Sequence, residues 1–115
     1  MDKGTFFTLT ADVSDATLAA MTSALRTVDS DVRYIFDDDG SPRHRARWDN
    51  HEEAVAYLSR QYPDTLITLW GEGEDCTDLW VKYFYNGRVQ REWAQIIYAP
   101  FDVDGLDEPE NCKGG

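Results

Sequence analysis

The 115-residue sequence has few of the features that usually reveal a protein's chemistry. Its two cysteines, Cys76 and Cys112, are too few for a disulfide framework. Asp75 and Asp78 flank Cys76 and disfavour a thiolate, so Cys76 is a poor nucleophile. A disulfide between the two cysteines would tie the C-terminal tail to this loop, but a reducing cytoplasm argues against it.

Long hydrophobic runs are also missing. No stretch approaches the roughly 20 apolar residues that span a bilayer. The opening residues, MDKGTFFTLT, lack the charged-then-apolar pattern of a secretory signal. These absences predict a cytoplasmic location. The length predicts a single α+β domain over residues 1–101, followed by an acidic C-terminal tail over residues 102–115.

Basic residues are scarce, with 11 Lys and Arg against 22 Asp and Glu, a net charge of −11. This charge opposes direct binding to nucleic acid and to anionic membranes, because both are polyanions. The predicted partner is therefore a basic protein. The 42% hydrophobic and 13% aromatic content separates the chain from disordered acidic proteins and predicts a packed core.

Motifs for catalysis or cofactor binding are absent as well. His44 and His51 have no second ligand pair at zinc spacing, and no catalytic triad can be placed. The segment GEGEDCTD (71–78) is followed by a strand pattern, and its acids would repel a phosphate. It also lacks the spacing of a calcium loop. We predict a protein that is not an enzyme and has no cofactor or metal; a carboxylate-based binder of a divalent metal or small ligand is the alternative.

The first half of the chain reads as alternating strands and helices. Alternation over residues 5–13 predicts a strand, and apolar residues at helical spacing predict a helix over 15–28 capped by Ser14. Residues 32–36 and 43–48 are predicted strands joined by the turn DDDGS. A second helix begins after Asn50, in a capping box with Glu53, and ends before Pro63.

The second half reads as a strand meander over residues 65–70, 79–85 and 89–98. Asn86-Gly87 is a strong hairpin signal. A two-residue loop would pair Trp80 with Trp93, whereas a three-residue loop would group Leu79, Val81, Tyr83, Val89 and Trp93. The order β-α-β-β-α-β-β-β predicts an α+β fold, in which an antiparallel sheet carries two helices on one face. It is ferredoxin-like with extra C-terminal strands.

The acidic residues cluster in turns, which either reflects the turn preference of aspartate or forms a negatively charged contact surface. The predicted partner-binding residues combine two acidic groups with exposed aromatic anchors: Asp37, Asp38, Asp39, Glu72, Glu74, Asp75, Asp78, Trp70, Trp80 and Tyr85. Arg43, Arg45 and Arg47 alternate on one side of their segment. They form either a solvated sheet edge or a small anion-binding patch.

The stretch LWGEGEDCTDLWVKYFYNGRVQ (69–90) resembles small acidic proteins of phages, plasmids and actinobacteria. The likeness lies in an aromatic strand, a Gly-Glu-Gly-Glu turn, the sequence Asp-Leu-Trp at the start of the next strand and an Asn-Gly hairpin. It implies an origin in mobile elements, whose small acidic proteins are often inhibitors of host defence, including anti-CRISPR proteins.

Together these observations predict a non-enzymatic acidic protein that mimics nucleic acid and blocks a basic nucleic-acid-binding surface. A homodimeric accessory domain, joined through exposed aromatic residues, is a further alternative.

Overall fold

The computed structural model of the chain describes residues 4–73 and 78–109. It confirms the α+β class, the antiparallel sheet and the two helices. The elements, in chain order, are β1 (Phe6–Ala11), α1 (Asp15–Val28), the 3₁₀ helix η1 (Ser30–Tyr34), α2 (His51–Gln61), β2 (Ile67–Glu72), β3 (Leu79–Tyr85), β4 (Arg88–Trp93) and the 3₁₀ helix η2 (Val103–Gly105).

One antiparallel sheet in the order β1-β2-β3-β4 forms the centre of the fold. Leu9, Leu69 and Phe84 are fully buried, and the strand register places them on the same face. The helices cover this face with buried side chains from α1 (Met21, Leu25) and α2 (Ala54, Val55, Leu58). No helix of the described ranges covers the other face of the sheet, which is called the open face below.

The predicted strand over residues 32–36 is wrong, because this stretch forms η1 and the turn after it. Its buried residues Val32, Ile35 and Phe36 follow helical rather than alternating spacing. The Asp29 carboxylate accepts a hydrogen bond from the Asp31 backbone N–H at 3.1 Å and starts the helical turn.

The predicted strand over residues 43–48 is also wrong as a continuous strand. It makes a single bridge to the sheet edge, between Thr5 and Ala46. Gly40 O accepts a further hydrogen bond from Leu9 N at 2.9 Å, so residues 40–46 contact the outer edge of β1 at their two ends. We call them the edge segment. Between these ends the segment pairs with residues 35–37 instead, with Pro42 opposite Phe36. The two strands of a ferredoxin-like arrangement are thus missing from this sheet.

The helix boundaries agree closely with the sequence pattern. Ser14 Oγ accepts a hydrogen bond from Thr17 N at 3.2 Å, which confirms the predicted cap of α1. Asn50 precedes α2 but makes no side-chain capping hydrogen bond, so the predicted capping box is wrong. Neither helix in the described ranges has the length and apolar character needed to cross a membrane.

The β3–β4 hairpin has the two-residue loop. Asn86 and Gly87 both have positive φ angles, 47° and 83°, as a tight hairpin turn requires. Trp80 consequently pairs with Trp93. Gly87 N donates a hydrogen bond to Ser59 Oγ at 2.7 Å, which ties the hairpin tip to α2.

The chain leaves the sheet after Trp93, earlier than the predicted strand end at residue 98. Residues 94–109, here called the C-terminal arm, are all exposed, although apolar side chains make up much of their first half. Ile97 is 80% exposed and Tyr98 is 85% exposed. The molecule measures 56 × 30 × 28 Å along its principal axes.

Candidate protein-binding surface

The open face carries a groove near the end of the sheet where β2 and β3 are joined. Alternation along the strands points Phe6, Trp70 and Val81 to this face, and the register makes them neighbours across β1, β2 and β3. The groove encloses about 360 Å³. We call it the aromatic groove; its lining is Phe6, Thr8, Trp70, Gly71, Glu72, Leu79, Trp80, Val81, Glu92, Trp93 and Ala94.

The aromatic groove has a mainly apolar floor and a charged rim. Trp70 is 48% exposed, and its indole Nε1 donates a hydrogen bond to Thr10 Oγ1 at 3.3 Å. The Arg45 guanidinium lies 4.5 Å from the centre of the Phe6 ring at the β1 side. Glu72 and Glu92 are exposed at the other margins. A surface of this composition suits an apolar side chain that enters between polar groups.

The three predicted aromatic anchors do not share one environment. Trp70 and Tyr85 are on the open face, and Tyr85 is 51% exposed. Trp80 belongs to the helix-covered side, where its ring is stacked on His51 with centroids 5.3 Å apart. The edge of Trp80 still contributes to the groove, because Gly71 beside it has no side chain. Trp70 and Tyr85 therefore share the open face, but Tyr85 lies at the opposite end of β3 from the aromatic groove.

The acidic turn at residues 37–39 is largely paired within the chain. Asp38 forms an ion pair with Arg26 at 2.8 Å, and Asp37 forms one with Arg43 at 3.0 Å. Asp39 accepts a hydrogen bond from Ser41 N at 2.9 Å, and this contact lowers the pKa of its carboxyl group. Much of the charge of this turn is thus already compensated.

The second acidic group lies elsewhere on the sheet. Glu72 is opposite Phe6 at the end of β2, and Asp78 O accepts a hydrogen bond from Gly73 N at 2.8 Å. The turn at residues 37–39 is instead beside Leu9 at the outer edge of β1. The described acidic residues thus form two separate groups. Glu74 and Asp75 lie outside the described residues, as do both cysteines.

A buried charged cluster connects α2 with β3 and β4. Lys82 is only 8% exposed, and its Nζ lies 2.7 Å from Glu52 Oε2 and 2.6 Å from His51 Nε2. Arg91 donates two hydrogen bonds of 2.6 Å to Glu52. The sequence predictions do not include this cluster. One feature of the sequence could have indicated it: Lys82 is two residues from both Trp80 and Phe84, so it shares their side of β3.

The cluster has little capacity for acid-base chemistry. The two ring nitrogens of His51 are engaged, since Nδ1 lies 2.6 Å from Trp48 O and Nε2 faces Lys82. Burial lowers the pKa of His51, which favours the neutral imidazole. Among the described residues, no group of three or more His, Cys, Asp and Glu side chains could hold a metal ion. The cluster therefore reads as a structural link between α2 and the sheet.

Glu52 should make stability depend on pH in the acid range. Its hydrogen bonds from Arg91, with a smaller effect of Lys82, lower the pKa of Glu52 from 4.5 to about 2. The unfolded chain binds this proton first, so the stabilisation is complete above pH 4.5 and is lost as the pH falls towards 2. We expect a loss of about 1–2 kcal/mol after allowance for solvent screening. Urea unfolding between pH 6 and 2 should show this loss, with a shallower dependence for Glu52→Gln. If the unfolding free energies of the unmodified protein and of Glu52→Gln changed in parallel with pH, the assignment of this pH dependence to Glu52 would be wrong.

Comparison of the chain with protein-family models, with curated proteins and with solved structures gives no match. Its function must therefore be inferred from its own surfaces, among which the open face carries the exposed aromatic side chains Trp70 and Tyr85.

Proposed function

We propose that the protein is a non-enzymatic interaction protein that binds a basic surface of another protein through its open sheet face. The observation that carries this proposal is the exposure of Trp70 on that face, where it lines the aromatic groove with the carboxylates Glu72 and Glu92. Tyr85 is exposed on the same face. Tryptophan and tyrosine dominate the binding energy of many interfaces when they are surrounded by polar groups.

The charge of the chain supports a basic partner. A net charge of −11 accelerates encounter with a positively charged surface and discourages contact with polyanions. Asp37 and Asp38 are paired with arginines of the same chain, so the contact surface is assigned mainly to Glu72, Asp78 and Glu92.

The narrower proposal concerns the class of partner. A protein that normally binds nucleic acid presents a basic surface, and the resemblance of residues 69–90 to small acidic proteins of mobile elements favours such a target. The protein would then act as an inhibitor of the phage type, whose surface carboxylates compete with a phosphate backbone. Inhibition of host defence, including CRISPR systems, is the biological setting that this resemblance suggests.

Affinity capture from host lysate, followed by reconstitution with the purified partner, tests the proposal. Binding should weaken at least about tenfold between about 50 mM and about 500 mM salt, and DNA should compete. Trp70→Ala and the double variant Glu72→Gln/Glu92→Gln should each weaken binding by about tenfold or more.

Asp37→Asn is the matched control, because it removes a carboxylate that is remote from the aromatic groove and already paired with Arg43. It should retain the affinity of the unmodified protein. A purified partner whose binding is indifferent to salt, to DNA and to both open-face variants would contradict the proposed function.

A further inference from the structure

We infer that two copies of the chain exchange their C-terminal arms, so that the apolar half of each arm (residues 94–101) occupies the aromatic groove of the other copy. The inference starts from two uncovered apolar surfaces that belong to the same chain. One is the groove on the open face, and the other is the arm itself. It goes beyond the proposed function, since it concerns assembly of the protein with itself in the absence of a partner. A basic partner that binds at Trp70 would have to displace the arm from the groove.

The arm has the composition of a buried segment and the exposure of an unburied one. Its largest apolar side chains are between 56% and 85% exposed: Ile96, Ile97, Tyr98, Phe101, Val103 and Leu106. The first four of these side chains lie in the half of the arm that is placed in the groove. Exposed apolar surface that is contiguous usually marks an interaction site.

The groove and the arm are matched in charge. No charged residue occurs between Trp93 and Phe101, so the carboxylates Glu72 and Glu92 at the groove margin would not repel this part of the arm. The acidic residues of the arm begin at Asp102. They follow the apolar half directly, where they can reach Arg45 at the β1 margin of the groove.

The exposure of the arm favours a second copy over its own groove. Ala94 N donates a hydrogen bond to Leu79 O at 2.9 Å, so the arm starts at the groove margin. Residues 94–109 are nevertheless all exposed, so the arm is not buried in the groove of its own chain. Reciprocal exchange about a two-fold axis would cover both arms and both grooves with identical contacts, as symmetric dimers do.

Sedimentation of the full chain over a range of concentrations tests the assembly. The unmodified protein should be a dimer that dissociates on dilution. Ile97→Ser/Phe101→Ser should raise the dimer dissociation constant at least about 100-fold, because it removes two apolar anchors. These positions are exposed, so the variant should fold normally. Tyr57→Ser is the matched control, because Tyr57 is 48% exposed on α2, and it should leave the dimer intact.

Photo-crosslinking identifies the occupant of the groove. Benzoylphenylalanine introduced at position 101 of an isotopically heavy copy should attach to β2 or β3 of a light copy. Crosslinks confined to copies of the same label would show that the arm folds onto its own groove, and a monomer at all concentrations would overturn the inference. A dimer that is unaffected by the arm variant would place the interface elsewhere and overturn it as well. None of these outcomes requires a partner, so failure here leaves the proposed function standing.

Discussion

Glu52→Gln should lower the free energy of unfolding by about 2 kcal/mol at neutral pH. The substitution removes the carboxylate that contacts the Lys82 ammonium group at 2.7 Å, while Lys82 stays only 8% exposed. Arg91 would then face Lys82 without the negative charge between them. A buried cation that loses its counter-charge is costly because the low dielectric of the interior does not replace its lost interaction. Urea unfolding at pH 7 measures the effect.

Removing the positive charge of Lys82 should destabilise the protein much less than removing the negative charge of Glu52. Lys82→Met preserves most of the aliphatic stem beside Trp80, and Glu52 keeps both hydrogen bonds from Arg91. We expect a change within about 1 kcal/mol, and the double variant should recover most of the loss caused by Glu52→Gln. Asp37→Asn, at an exposed ion pair, should barely move the unfolding midpoint. Equal losses for Glu52→Gln and Lys82→Met would refute this account of the cluster.

Gly71→Ala should cost about 2–3 kcal/mol, because the new methyl group has no space. A Cβ atom at position 71 would lie 2.1 Å from Trp80 Cε2. The Trp80 ring cannot move freely, since Phe7 contacts it edge-on at 5.9 Å and His51 is stacked on it. Thermal unfolding should show the loss, and the tryptophan fluorescence of the folded protein should change.

Gly105→Ala supplies the control for this prediction. A Cβ atom there would have Asp102 Cβ at 3.9 Å as its nearest neighbour, an ordinary contact on an exposed segment. Its unfolding free energy should stay within about 0.5 kcal/mol of that of the unmodified protein. If both alanine variants proved equally stable, the close packing of Trp80 over β2 would be wrong.

Local signals in the sequence predicted the elements that depend on local chemistry. The Ser14 cap and the apolar spacing that follows it are sufficient for α1, and Asn86-Gly87 is sufficient for the hairpin turn. The strand at residues 32–36 failed because three apolar residues in a short window fit a helical turn as well as a strand. No local sequence signal indicates that residues 43–48 make only a single bridge to the sheet edge.

The binding surface could be predicted only in part, because it depends on contacts between distant segments. The exposure of Trp70 follows from the pairing of β2 with β1 and β3, which no local signal specifies. The charged cluster joins Glu52 of α2 to Lys82 and Arg91, thirty and thirty-nine residues further along the chain, and no motif encodes that contact. The exposure of residues 94–98 contradicts their apolar pattern, since the predicted strand extends to residue 98.

The edge segment gives the sheet two unlike sides. Gly40 and Ala46 make hydrogen bonds at the outer edge of β1, whereas β4 ends the sheet on the other side among the described residues. A molecule with one blocked edge and one available edge can join a single neighbour by strand pairing, and the pair then has no equivalent edge left. Edge-to-edge growth would therefore stop at two copies, which protects a chain rich in aromatic strands from forming fibrils.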